Sequence, residues 1–287
     1  MTNVWLLTGA SRGLGRAIAE VVLAAGDRLV AGARDTRTLN DLVVRYPETL
    51  RTVALDVNDP VAAEAAVQAA LDTWGRLDVL VNNAGYGHLV PFERMSAEDF
   101  RGQIETNLFG VVNLTRAAVP IMRRQRSGHI FQVSSLGGRI GNPGLSAYQA
   151  AKWAVGGLTE VLAQELAPFG IHVTALEPGA MRTDWGAVAQ RATPDLGEDY
   201  QASMGPFLEL LDGIIGKETG DPSRVAKVIL ALARHPSPPA HLLLGSDALH
   251  YCSLADASRA AAGERWKSVS AAVDFGTAVE LPALPEA

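Results

Sequence analysis

Short runs of apolar and β-branched residues alternate along the chain with longer stretches in which apolar residues recur every three or four positions. The first pattern predicts strands and the second predicts amphipathic helices. The predicted strands are residues 4–8, 28–33, 52–55, 79–82, 129–134, 171–176 and 241–244. The predicted helices are residues 14–25, 39–45, 61–73, 97–124 with a bend near Gly110, 147–167 and 222–234. Such alternation is typical of a parallel sheet covered on both faces, so we expect a single α/β, Rossmann-like, doubly wound sheet of about seven strands.

The alternation runs from residue 4 to about residue 245 without a linker, which indicates one main domain over residues 1–250. Residues 187–221 interrupt the rhythm and predict a long irregular loop, a type of segment that often carries function. Residues 251–287 are rich in alanine and predict a helical extension. The Pro-containing end, residues 281–287, is expected to fray.

Composition narrows the possible partners. Of the 287 residues, 48% are hydrophobic, enough for a sizeable core, and the net charge of -6 provides no electrostatic footprint for nucleic acid. The single cysteine, Cys252, excludes an internal disulfide and suits a reducing, cytoplasmic compartment. The amino terminus resembles no secretory signal, and no apolar run reaches the roughly 20 residues of a membrane span. The six histidines have no metal-ligand spacing, so we expect no metal site and no membrane partner.

A glycine-rich turn, residues 8–15, joins the first predicted strand to the first predicted helix. Glycines permit a tight turn, and the positive end of the helix dipole then faces whatever anion approaches the backbone N–H groups. This position predicts a nucleotide-binding turn. Gly9, Ser11 and Gly13 also spell the Gly-x-Ser-x-Gly elbow of serine hydrolases, in which Ser11 would be the nucleophile. The hydrolase alternative is disfavoured because that elbow follows several strands, not the first one.

A tyrosine and a lysine, Tyr148 and Lys152, are four residues apart on a predicted helix and therefore share one face. A phenol ordinarily titrates near pH 10, and we expect the lysine charge to favour the phenolate and lower the tyrosine pKa. Ser135, just past a predicted strand, could hydrogen-bond the same substrate oxygen. This combination indicates acid–base chemistry at a carbonyl or alcohol.

Further motifs complete a recognisable set: Asn-Asn-Ala-Gly at 82–85, Asn107 in a long helix, and Pro178-Gly179 followed by Thr183. Over about residues 3–250 the chain resembles the classical short-chain dehydrogenase/reductase family. The resemblance implies an NADP-binding catalytic domain that interconverts a carbonyl and an alcohol by hydride transfer. The break in the alternation makes residues 187–221 the candidate substrate loop.

The resemblance assigns roles to single residues. The implied catalytic residues are Asn107, Ser135, Tyr148 and Lys152, with Tyr148 as acid/base, Lys152 on the nicotinamide ribose and Asn107 supporting a proton-relay water. Asp56 would accept from the adenine amino group, although it could instead be a loop carboxylate next to Asp59, the stronger helix cap. The implied cofactor-binding residues are Gly9, Ser11, Arg12, Gly13, Leu14, Gly15, Arg34, Asp56, Val57, Asn83, Ala84, Gly85, Tyr148, Lys152, Pro178, Gly179, Met181 and Thr183.

The residues at the end of the second strand bear on the choice of dinucleotide. An NAD site needs an acidic residue there, and an NADP site needs a cation. The acidic position of the family falls on the uncharged Ala33, while Arg34 and Arg12 could clamp a 2′-phosphate. We therefore expect NADP(H). Asp35 is a complication, because a shift of one residue in register would place it at the ribose and favour NAD.

By the same resemblance, the substrate pocket would be lined from residues 86–92, 136–145 and 180–215. An apolar lining suits a small apolar ketone, aldehyde or alcohol. Members of the family are often homo-oligomers, so a dimer or tetramer is expected. A catalytically idle NADP-sensing protein of the same fold is a second alternative, and the presence of both Tyr148 and Lys152 argues against it. The apolar side chains in these segments are Leu89, Leu136, Ile140, Leu145, Met181, Trp185 and Phe207.

Overall fold

A seven-stranded parallel sheet forms the centre of the computed structural model, which describes residues 2–275 and residue 284. The strand order is β3-β2-β1-β4-β5-β6-β7, and each neighbouring pair is parallel. This sheet confirms the predicted fold class. The strands are β1 (Val4–Thr8), β2 (Arg28–Ala33), β3 (Leu50–Ala54), β4 (Val79–Asn82), β5 (Gly128–Val133), β6 (Ile171–Pro178) and β7 (His241–Leu244).

Helices cover both faces of the sheet. The main helices are α1 (Gly13–Ala24), α2 (Asn40–Arg45), α3 (Pro60–Trp74), α4 (Ala97–Ile104), α5 (Gly110–Gln125) and α6 (Ser146–Leu166). They are followed by α7 (Trp185–Gln190), α8 (Gly197–Ile214), α9 (Pro222–Leu232), α10 (Ser246–Arg265) and α11 (Lys267–Ala271). Residues from α1 and α9 share one large core cluster, and residues from α3, α5 and α6 share a second.

Strand β1 shows how the two layers arise from one run of apolar residues. Successive side chains of a strand point to opposite faces. Trp5 and Leu7 therefore pack into the cluster with α1, whereas Val4 and Leu6 pack into the cluster with α3. All four are fully buried, as expected for a central parallel strand that is covered on both sides.

Several helix starts follow from local capping chemistry. The Asp59 carboxylate accepts from the Val61 N–H at the start of α3, with Pro60 in the first turn, which confirms the predicted cap. Asp221 caps α9 in the same way, again followed by a proline. These caps satisfy N–H groups that a helix start would otherwise leave without partners.

The predicted helix over 97–124 is interrupted by one π-helical turn, Glu105–Phe109, immediately before Gly110. A Cβ on Gly110 would lie 2.6 Å from Val57 Cγ2, so only glycine allows α5 to approach the loop after β3 this closely.

The prediction of an irregular loop over 187–221 is wrong, because α7 and α8 occupy much of it. Gly197 at its start and Pro206 in its interior obscure the helical character of α8 in the sequence. The predicted carboxyl-terminal helical extension is present as most of α10 and as α11. The predicted fraying of residues 281–287 lies outside the described residues, apart from Leu284.

The order of the strands reverses between β1 and β4, which are neighbours in the sheet although β2 and β3 come between them in sequence. In open α/β sheets, ligands bind in the crevice beyond the carboxyl ends of the strands at such a switch point. The loops after β1, β4, β5 and β6 meet beyond the carboxyl ends of these strands.

Candidate active site

The glycine-rich turn after β1 adopts backbone conformations that favour glycine. Gly9 and Gly13 have positive φ angles of 67° and 55°, a conformation that favours glycine. A Cβ on Gly15 would overlap the carbonyl oxygen of Gly9. Arg12 precedes α1, and its side chain makes no capping hydrogen bond. The first-turn N–H groups of α1 therefore have no side-chain cap, and this turn suits the diphosphate of a dinucleotide.

Thr8, which the sequence analysis did not single out, ties the end of β1 to the end of β4. Its hydroxyl oxygen accepts from the N–H groups of Asn83 at 2.9 Å and Ala84 at 3.0 Å. The Asn83 amide donates to the carbonyls of Thr8 at 3.0 Å and Gly9 at 3.2 Å. The two loops are thus one hydrogen-bonded unit. The signal in the sequence was a hydroxyl residue directly between a buried strand and the first glycine.

Asn107 lies in the π-helical turn and is fully buried. Its amide donates to the carbonyls of Tyr86 at 2.7 Å and Gln103 at 2.8 Å, and its oxygen accepts from the Tyr86 N–H at 3.2 Å. A Cβ on Gly85 would lie 2.5 Å from Asn107 Oδ1 and 3.5 Å from Lys152 Nζ. The structure therefore brings Gly85, Asn107 and Lys152 together.

Tyr148 and Lys152 lie on one face of α6 and are both buried. Lys152 Nζ is 5.6 Å from the centre of the Tyr148 ring and donates to the Val133 carbonyl at 2.7 Å. Burial lowers the pKa of Lys152 to about 8 because it disfavours the charged ammonium.

The pKa of Tyr148 moves in the direction opposite to the one we expected from Lys152. Burial raises the pKa of Tyr148 to about 12, and a hydrogen bond with Ser135 opposes this change. The Ser135 oxygen also accepts from the Gly137 N–H at 2.9 Å, which fixes the hydroxyl at the end of β5. The phenol is therefore neutral at physiological pH and can act as a proton donor.

An apolar cluster surrounds the Tyr148 ring. The Trp185 indole packs on it with ring centres 5.0 Å apart and a tilt of 48°. Leu89, Leu145 and Phe207 belong to the same cluster, so the structure brings together several of the predicted lining residues. Met181 instead packs against the core cluster that contains α1.

Two charged residues, Arg34 and Asp35, follow β2 and have different surroundings. Ala33 ends the strand and is buried, and the exposed Arg34 follows. Within the part of the chain that the structure describes, Arg34 has no hydrogen-bond or ion-pair partner. Asp35 accepts from the Arg37 backbone N–H at 3.0 Å and pairs with the Arg37 guanidinium at 2.8 Å. This hydrogen bonding holds the pKa of Asp35 below its ordinary value.

Segments from distant parts of the chain border the glycine-rich turn. A Cβ on Gly13 would lie 3.5 Å from Thr183 Cγ2, so the loop after β6 lies against the turn. Arg12 forms an ion pair with Asp184, a residue that the sequence analysis did not consider. Pro178 ends β6, and the Gly179 N–H donates to the Leu244 carbonyl at 2.9 Å.

The remaining candidates differ in exposure. Asp56 is exposed and accepts from the Asn58 N–H at 3.0 Å, and Val57 is buried beside it. Leu14 is buried in α1. Ser11 makes no hydrogen bond with a histidine anywhere in residues 2–275, which argues against the serine-hydrolase alternative.

Residues 3–193 match the family described as short chain dehydrogenase. The chain is 48% identical over 273 residues to "Oxidoreductase BOA17" of Botryotinia fuckeliana (strain B05.10), a match that covers 95% of this chain and 99% of that protein. A short-chain dehydrogenase from Streptomyces avermitilis has a similar structure, with TM-score 0.88 and 39% identity over 96% of this chain and 100% of that one. The chain belongs to the short-chain dehydrogenase family and is an oxidoreductase.

Two further solved structures contain different dinucleotides. A metagenomic short-chain oxidoreductase in complex with NADP has TM-score 0.68 and 29% identity, covering 84% of this chain and 96% of that one. A 3-ketoacyl-(acyl-carrier-protein) reductase from Brucella melitensis complexed with NADH has TM-score 0.71 and 28% identity, covering 84% and 95%. Similarity alone therefore does not select the dinucleotide. No described helix has the length and apolar character needed to cross a membrane.

Proposed function

We propose that this protein is an NADP(H)-dependent reductase of small apolar ketones or aldehydes, which also oxidises the corresponding alcohols. The observation that carries the proposal is the pair of buried residues Tyr148 and Lys152 with Ser135 beside them, in which a neutral phenol is held next to an ammonium. Such a group suits protonation of an oxygen that develops negative charge.

The crevice fits a dinucleotide through its own geometry. The start of α1, with no side-chain cap and close packing at Gly15, would take the diphosphate. Arg34 would bind the 2′-phosphate together with Arg12, since Arg34 has an exposed guanidinium and the carboxylate of Asp35 is already engaged. Lys152 would contact the nicotinamide ribose. The adenine side would be formed by Asp56 and Val57, and the nicotinamide side by Asn83, Ala84, Gly85, Pro178, Gly179, Met181 and Thr183.

Bound NADPH would supply the hydride that reduces the carbonyl carbon. Tyr148 donates its phenolic proton to the carbonyl oxygen, so that one hydride and one proton convert C=O to CH–OH. Ser135 donates a hydrogen bond to the same oxygen, and the Lys152 charge stabilises the phenolate that remains. Asn107 acts as a positioning residue, because it binds both backbone groups of Tyr86 beside the site.

The environment of Tyr148 favours an apolar substrate. Trp185, Leu89 and Phe207 surround the ring, and none of them offers a charge for an anionic group. We assign the catalytic domain to residues 1–250, with α7 and α8 over the substrate side. Family membership favours a homo-oligomer, and the lone Cys252 suits a reducing, cytoplasmic compartment.

The test is NADPH oxidation over a panel of apolar ketones and aldehydes, with wild type, Tyr148→Phe and Tyr46→Phe. Tyr148→Phe should lower kcat by at least about 100-fold, the lower end of the range for general acids, and leave NADPH affinity within a few-fold. Tyr46 is a matched control because it packs against the core cluster beneath the sheet. A Tyr148→Phe enzyme with near wild-type kcat would refute the assignment.

A further inference from the structure

Arg12 and Asp184 form an ion pair between the loops that follow β1 and β6. It joins the glycine-rich turn to the residue just before α7, 172 positions later in the chain. Both side chains remain accessible, with 58% of Arg12 and 50% of Asp184 exposed. A Cβ on Gly13 would lie 3.5 Å from Thr183 Cγ2, so the two loops lie side by side.

Neither side chain of this ion pair is needed to cap the helix that follows it. The Asp184 side chain makes no capping hydrogen bond to α7, and the Arg12 side chain makes none to α1. Exposed ion pairs contribute little to stability, because solvent screens the charges and ordering two long side chains costs entropy. The Arg12 guanidinium can therefore exchange Asp184 for a better partner at small cost.

A phosphate is such a partner. Arginine binds phosphate through two parallel charge-assisted hydrogen bonds, and a phosphate monoester carries more negative charge than one carboxylate. Because Asp184 occupies Arg12 Nη1, a 2′-phosphate that takes two donors of the same guanidinium competes with Asp184 for it. NADH has no such group, so its binding leaves the pair intact.

We propose that Asp184 is a specificity-determining residue that competes with the 2′-phosphate for Arg12 and thereby weakens binding of NADPH relative to NADH. This inference rests on the proposed function, in which Arg12 and Arg34 bind the phosphate. In the free protein Asp184 pairs with Arg12, and only a dinucleotide that carries a 2′-phosphate replaces Asp184 in this pair. The residue therefore sets how strongly the enzyme prefers one cofactor, without touching the reacting atoms.

The experiment measures dissociation constants of NADPH and NADH by calorimetry on the full-length protein at one fixed ionic strength, because salt screens the pair. Asp184→Asn should tighten NADPH binding by about two- to fivefold, the range expected for an exposed ion pair, and leave NADH unchanged. Asp184→Glu keeps the charge and should stay near wild type. In an Arg12→Ala background, Asp184→Asn should have no effect on either dinucleotide.

Glu198→Gln is the control for a general loss of negative charge, because it removes one charge from the first turn of α8. It should not alter the ratio of the two constants. Equal tightening of NADPH and NADH by Asp184→Asn, or a gain that persists without Arg12, would overturn the inference. Weaker NADPH binding in Asp184→Asn would also overturn it.

These outcomes differ from failure of the proposed function. A wild-type protein that binds neither dinucleotide would refute the reductase itself. A wild-type protein that binds NADPH with an affinity independent of Arg12 would overturn only the competition between Asp184 and the phosphate.

Discussion

Replacing Lys152 with methionine should make the protein more stable and inactive. Methionine keeps an unbranched side chain of similar length in a site where lysine is 4% exposed, and it removes the charge that burial disfavours. Activity should be lost because the proposed mechanism needs the ammonium beside the Tyr148 ring. Stability and function therefore make opposite demands on this residue.

The magnitude follows from the pKa of Lys152, which burial lowers from 10.5 to about 8. A difference of about 2.5 at 1.36 kcal/mol per pKa unit means that keeping the ammonium charged in the fold costs about 3 kcal/mol at pH 7. Methionine also leaves the Val133 carbonyl without its donor, at a cost of about 1–3 kcal/mol. We expect a net gain of about 0–2 kcal/mol in the free energy of unfolding.

The pH dependence of the stability difference shows whether the effect of Lys152→Met comes from the charge of the ammonium. Between pH 8 and pH 10.5 the folded wild type has lost this proton while the unfolded chain keeps it, so wild-type stability rises with pH. The advantage of Lys152→Met should therefore shrink by about 2 kcal/mol between pH 7 and pH 9.5. Groups that titrate equally in both proteins cancel in this difference.

The measurement is urea unfolding followed by circular dichroism, without cofactor, at pH 7 and pH 9.5. It gives the stability difference between Lys152→Met and wild type at pH 7 and the change in that difference with pH. Lys227→Met is the matched control, since Lys227 is exposed on α9, and its effect should stay within about 0.5 kcal/mol at both pH values. The reasoning fails if Lys152→Met is less stable than wild type at pH 7. It also fails if the difference between the two proteins does not change with pH.

Two further predictions test the dinucleotide and the acid stability of the fold. Arg34→Ala should weaken NADPH binding about tenfold and spare NADH, and Ala33→Asp with Arg34→Ala should reverse the preference in kcat/KM, with Asp35→Asn as control. A wild type that prefers NADH would refute this assignment. Burial, followed by the charge of neighbouring groups, lowers the pKa of His129 from 6.5 to about 4, so the fold should lose stability as pH falls through this window. After discounting for solvent screening, His129→Gln should avoid about 1–2 kcal/mol of that loss in urea unfolding, whereas the exposed control His250→Gln should not.

The chain sequence alone determined the elements whose signal is local. Strands β1, β2, β4 and β7 begin and end where the apolar runs predicted. For β1 and β4 the reason is that a parallel strand buried on both faces needs a continuous apolar segment. The spacing of Tyr148 and Lys152 placed both residues on one helical face for the same reason of local periodicity. The cap at Asp59 likewise depends only on neighbours in sequence.

Tertiary structure alone decided the properties that depend on distant segments. The direction of the Tyr148 pKa follows from burial beneath Trp185 and its cluster, and no spacing along α6 contains that information. The partner of Arg12 lies 172 residues away, and only the meeting of the loops after β1 and β6 brings Asp184 to it. The close approach of Gly110 to Val57 also joins two segments that are far apart in the chain. Desolvation and long-range contact both arise only when separate segments exclude water together, so the sequence placed the candidate residues and the fold set their charge and their partners.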